Sequence, residues 1–90
     1  MNDGFRWNQW NVDHIERHAV SPEEAEHVID WAKPPYPEPI GDNKWRVRGQ
    51  SANGRYLQVI FVFDPDNTIY VIHARGLNEQ EKRRLRRRMK

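Results

Sequence analysis

Proton transfer near neutral pH and the holding of negative charge are the two kinds of chemistry this chain is equipped for. Histidine serves as base or acid close to neutrality, and arginine meets a phosphate through two parallel hydrogen bonds while keeping its charge. His14 and His18 stand four residues apart, one helical turn. His73 and Arg75 stand two apart, which places them on one side of a strand, and Arg46 and Arg48 share a strand side in the same way. Arg55 opens the next strand just after Asn53-Gly54. Lys82, Arg83, Arg84, Arg86 and Arg87 crowd the C-terminal segment. Such a set fits acid–base work beside a phosphate, with a base, an acid and cations to hold the charge that builds up on phosphorus. The i, i+4 pair of histidines also has the spacing of two metal ligands. Cysteine is absent and no third ligand stands nearby, so neither a metal site nor any cofactor is expected.

Charge is unevenly spread. Residues 78–90, NEQEKRRLRRRMK, hold seven Lys or Arg against two Glu, whereas residues 1–77 are mildly acidic. A basic tail on an acidic body points to a polyanion partner. Nucleic acid is preferred over membrane because the tail's only large apolar residues are Leu85 and Met89. No stretch nears the roughly 20 apolar residues that span a bilayer, and the first twenty lack the apolar centre of a signal peptide. A cytoplasmic location and the absence of membrane contact are the resulting expectations. The lack of Cys also excludes a disulfide scaffold.

These residues need elements to position them. Phe5-Arg6-Trp7 alternates like a short strand, and Asn8 or Asn11 caps a helix reaching about His18. Trp7, Trp10, His14, Ile15 and His18 recur at three- and four-residue steps, so both histidines are expected on or beside the inward stripe. Ser21, Pro22 and Glu24 form a capping box with proline at the first helical position. Val20 and Ala25 are set for a hydrophobic staple. That second helix must end before Pro34-Pro35, and residues 34–42 read as an extended connection.

Three strands follow. Trp45, Val47 and Gly49 alternate with Lys44, Arg46, Arg48 and Gln50; Asn53-Gly54 signals a hairpin; and Arg55 to Phe63, apolar on both sides beyond Gln58, reads as the central strand. Asp64 to Asn67 turns the chain into Thr68 to Arg75, where Ile69, Val71, His73 and Arg75 are expected opposite Tyr70, Ile72 and Ala74. Asn78 and Glu81 then form the capping box of a basic last helix. The expectation is a single α+β domain over residues 1–90, order β-α-α-β-β-β-α. Its small antiparallel sheet would be covered on one face by the two N-terminal helices, with Trp10, Trp31 and Trp45 in the core or against a partner.

Trp7, Asn11, His14-Ile15, His18-Ala19-Val20 and Glu23-Glu24-Ala25-Glu26 resemble the opening of the BrnT-like toxin family. Arg46-Val47-Arg48-Gly49-Gln50-Ser51 with Gly54-Arg55-Tyr56-Leu57 is similar to that family's hairpin. Tyr70 to Arg75 resembles its strand ending in Ala-Arg, and Glu81-Lys82-Arg83-Arg84 its last helix. The resemblance runs over nearly the whole chain. It implies a RelE-like fold and a metal-independent ribonuclease of a toxin–antitoxin pair. It also implies neutralisation by a DNA-binding, BrnA-like antitoxin, through which the pair meets operator DNA. Mapped onto this sequence, the catalytic candidates are Arg75, His18, Arg55 and Arg83. The RNA-binding candidates are Arg46, Arg48, His73, Lys82, Arg84, Arg86 and Arg87. Ala19 stands where that family commonly has glycine, His73 where it has Ser or Thr, and Leu85 where a tyrosine often follows the basic segment. A second reading, motivated by Leu85, is an RNA-binding or regulatory module that keeps the fold without cleaving.

Overall fold

Every helix starts where a side chain closes its first turn. Asn8 and Asn11 cap each other's backbone N–H groups at the start of α1 (Gln9–Glu16). Ser21 and Glu24 do the same for α2 (Pro22–Asp30), and Asn78 and Glu81 for α3 (Glu79–Arg88). Each reciprocal pair satisfies two amides that a helix leaves without partners. The strands are β1 (Phe5–Arg6), β2 (Glu38–Gly41), β3 (Lys44–Gln50), β4 (Tyr56–Phe63) and β5 (Ile69–Gly76). The computed structural model describes residues 3–88. Met89 and Lys90, the end of the expected basic helix, lie outside the described residues.

The five strands form one sheet in the order β1-β5-β4-β3-β2. β4 is central, as its apolar run requires: Leu57, Val59 and Phe61 are buried on one face, and Gln58 is buried on the other. Two expectations are corrected. The sheet is mixed and not wholly antiparallel, because β1 runs parallel to β5 through Phe5↔Ile69 and Arg6↔Tyr70. The connection at 34–42 contains the extra strand β2, antiparallel to β3, so the order is β-α-α-β-β-β-β-α. Pro37 and Pro39 hid it. At a sheet edge a proline's missing N–H faces away from the ladder and costs nothing.

The core lies between one sheet face and α1 and α2. Ile15, Val20, Ala25, Val28 and Ile29 meet Val47, Leu57, Val59, Phe61, Ile69, Val71 and Ala74 there. The Val20–Ala25 staple is buried as its spacing predicts. Leu85, almost wholly buried, joins the same cluster from α3. Among the described residues no helix is long and apolar enough to cross a membrane.

Between α1 and α2, Ala19 takes a left-handed backbone with φ of 58°. Arg55 holds this turn: its Nη1 donates to the Ala19 carbonyl at 2.6 Å and to both Glu24 carboxylate oxygens at 3.0 and 3.1 Å. The guanidinium ties the interhelical turn and the start of α2 to the β3–β4 hairpin.

Candidate functional site

A bulge decides which side chains meet on the open face of the sheet. Ile60 pairs with His73 but Phe61 pairs with Val71, so Ile72 is an extra residue in β5. An inserted residue reverses the alternation beyond it. Ile69, Val71 and Ala74 therefore point into the core, while Tyr70, His73 and Arg75 share the opposite face. The expectation that Ile69 and Val71 lie beside His73 and Arg75 is corrected, whereas the sharing of one side by His73 and Arg75 holds. In register across the sheet, Arg46, Ile60 and His73 form one row, and Arg48, Gln58 and Arg75 form the next.

α1 supplies the rest. β1 pairs with only the first two residues of β5, so α1 packs beside the remainder of that strand. Its core-facing row is Asn11 and Ile15, both fully buried. The amide of Asn11 donates to the Arg6 carbonyl at 3.1 Å, which repays its burial. The neighbouring row, Trp10 and His14, runs on to His18 in the turn after the helix and faces β5. Both histidines therefore lie beside the inward row, whereas the expectation of Trp10 in the core is corrected: Trp10 is 56% exposed, and His18 is exposed too.

Three histidines come together here. The His18 and His73 rings meet edge to face with centroids 5.4 Å apart, and His14 and His73 at 6.1 Å. Trp10 stacks on His14 at 4.9 Å and lies 6.3 Å from Tyr70, whose other neighbour is the Arg6 guanidinium, 3.9 Å from the ring centre. Burial pushes the His73 pKa down, and the positive charges of His18, Arg75 and His14 push the same way. His73 is therefore a neutral imidazole at neutral pH, in a form that can accept a proton.

Behind it, one carboxylate organises the arginines. Glu81 accepts from Arg75 Nη1 and Nη2 at 2.9 and 2.8 Å and from Arg48 Nη2 at 3.1 Å; its Oε1 also accepts the Asn78 N–H at 2.9 Å. The Arg75 hydrogen bonds first, then the Asn78 amide, hold its pKa down at about 2. Arg48 Nε donates to the buried Gln58 oxygen at 2.9 Å. Two guanidiniums facing one carboxylate leave net positive charge beside His73. Their orientation is fixed, but part of their hydrogen-bonding capacity is already used.

The other candidates spread further. Arg46 pairs with Glu38, its Nε at 2.7 Å from the carboxylate. Arg55 is committed to Ala19 and Glu24 and takes no part in the histidine cluster. Lys82 pairs with Glu79 at 3.3 Å, and Arg86 lies over the Tyr56 ring at 5.2 Å. Arg83, Arg84 and Arg87 are exposed on α3 without an ion pair among the described residues. Leu85 points into the core, so its position contributes packing. Sequence reasoning read Glu81 as a cap and as the start of the segment resembling the family's last helix, not as the partner of Arg75 and Arg48, and it read Trp10 as a core or partner contact. Two arginines close to strand ends, followed by an acid in a basic helix, were the available signal for Glu81. Among the described residues no three His, Cys, Asp or Glu side chains form a group able to hold a metal ion. Compared with family models, curated proteins and solved structures, the chain finds no match.

Proposed function

We propose that the chain is a metal-independent endoribonuclease, the toxin of a toxin–antitoxin pair. The observation that carries this reading is the meeting of neutral His73 with exposed His18 beside the Arg75–Glu81–Arg48 group. In-line cleavage of RNA needs a proton acceptor at the 2′-hydroxyl and a donor at the leaving 5′-oxygen, each about 3 Å from its oxygen. His73 takes the 2′-proton and the 2′-oxygen bonds to phosphorus. The P–O5′ bond then breaks as His18 gives its proton to the 5′-oxygen, leaving a 2′,3′-cyclic phosphate. The Arg75 guanidinium holds the charge of the pentavalent phosphorus, and His14 meets the His73 ring edge-on at 6.1 Å and helps fix its position.

Arg83, Arg84 and Arg87 provide the phosphate contacts of a single strand that crosses α3 toward His73. In a cell the chain acts in the cytoplasm and is silenced by a BrnA-like antitoxin that also carries the pair to operator DNA. The test is expression from a tight promoter: growth arrests with the wild type and continues with His73→Asn, at equal protein levels. Equal arrest by both would remove His73 from the chemistry. A second reading, an RNA-binding module without cleavage, is favoured by one observation, that Arg75 and Arg48 are already engaged by Glu81. It predicts RNA retention without strand breaks.

A further inference from the structure

Away from the histidines, a groove of about 170 Å³ opens between the end of α2, the Pro34-Pro35 segment, the last residues of β3, and α3. Its lining is aromatic and cationic: His27, Trp31 and Tyr36 with Lys33, Arg48 and Arg88, and no Asp or Glu among them. Trp31, a large apolar ring, is 68% exposed at the rim and lies 5.6 Å from His27 at an interplanar angle of 26°. Tyr36 is buried in the wall, and its hydroxyl accepts from Arg88 Nη1 at 3.1 Å. Lys33 is exposed and carries no ion pair among the described residues.

Stacking and anion demands meet in this groove. A cavity of about 150 Å³ takes a benzene-sized ring, so the volume admits one planar base. The free face of the Trp31 indole offers it a stacking surface. Lys33 and Arg88 supply positive charge that no carboxylate pairs with among the described residues, whereas the Arg48 charge is shared with Glu81. We propose that this groove binds one nucleoside 5′-phosphate unit, its base on Trp31 and its phosphate against Lys33 and Arg88. Arg48 lines this groove and also bonds Glu81, so the groove abuts the group that orients Arg75.

The experiment titrates the intact chain, and a His73→Asn variant that removes cleavage, with adenosine 5′-monophosphate and guanosine 5′-monophosphate. The heat of binding and the Trp31 indole N–H resonance are followed. Saturable binding that shifts Trp31, weakens about tenfold or more in Trp31→Ala, and falls with Lys33→Glu and with the groove-filling Ala32→Trp supports the site. Binding in His73→Asn as in the wild type separates it from the cleavage reading. Competition by a short oligoadenylate assigns the unit to an RNA strand; its absence assigns it to a free nucleotide. Three results would overturn the proposal: no binding at millimolar nucleotide, equal displacement by inorganic phosphate, or unchanged affinity in both Trp31→Ala and Ala32→Trp. Binding of an acidic peptide with no response to nucleotides would do the same.

Discussion

Replacing Glu81 with Gln should weaken the fold and strengthen RNA binding at the same time. Glutamine keeps the capping box at the third helical position, so the start of α3 survives. What disappears is one negative charge that receives three hydrogen bonds from Arg75 and Arg48. Charge-assisted bonds contribute about 1.5–3 kcal/mol each when well sheltered. The Glu81 side chain is 13% exposed, but that of Arg75 is 33% exposed, so screening brings the net loss for the group to about 2 kcal/mol. For a domain of this size that lowers the melting temperature by about 8–16 °C at neutral pH.

The pH dependence follows from the same carboxylate. Its folded pKa, about 2, lies below the ordinary 4.5, so its stabilisation is complete above about pH 4.5 and is lost as pH falls towards 2. The wild type and Glu81→Gln should therefore converge in stability at low pH. Freed of their partner, Arg75 and Arg48 offer more donors to phosphate, and affinity for single-stranded RNA should rise. Thermal melts from pH 2 to 7 and RNA titration at fixed salt measure both. Equal melting temperatures at neutral pH, or weaker RNA binding by a folded variant, would refute the reasoning.

Ala19→Gly should stabilise by about 1 kcal/mol, since a left-handed backbone strains any residue with a Cβ; calorimetry reads it, and no gain would mean that Arg55 already offsets that strain. Arg55→Ala should lower stability by about 1–2 kcal/mol by freeing the Ala19 carbonyl and Glu24, while RNA affinity stays unchanged when measured on folded protein. Exchanging Arg83, Arg84 and Arg87 for Gln should leave the melt in place and reduce the salt slope of RNA binding by about 0.7 for each phosphate no longer neutralised; an unchanged slope would separate these side chains from RNA.

The capping residues and the apolar central strand were readable because their signals are local: Asn8, Ser21 with Glu24, and Asn78 with Glu81 each answer to a backbone a few residues away. β2 was not, since Pro37 and Pro39 argue against a strand until an edge position is known. The bulge at Ile72 was equally hidden, because the extra residue is defined only by register against Ile60 and Phe61. The His73–Arg75 pairing was legible from a spacing of two. Its meeting with His14 and His18 depends on how α1 sits beside β5. Trp10 and Trp31 were assigned to core or partner contacts by size; both are exposed, so neither belongs to the core.

The most direct test of the central claim is the chemistry of the RNA ends left by purified protein in EDTA. Wild type should leave 2′,3′-cyclic phosphates, and His73→Asn should cut about 10²–10⁴-fold more slowly while melting as a folded domain. The wild-type rate should fall as acid protonates His73, because a charged imidazole accepts no proton. Intact RNA in EDTA, or equal cleavage by folded His73→Asn, would contradict the account.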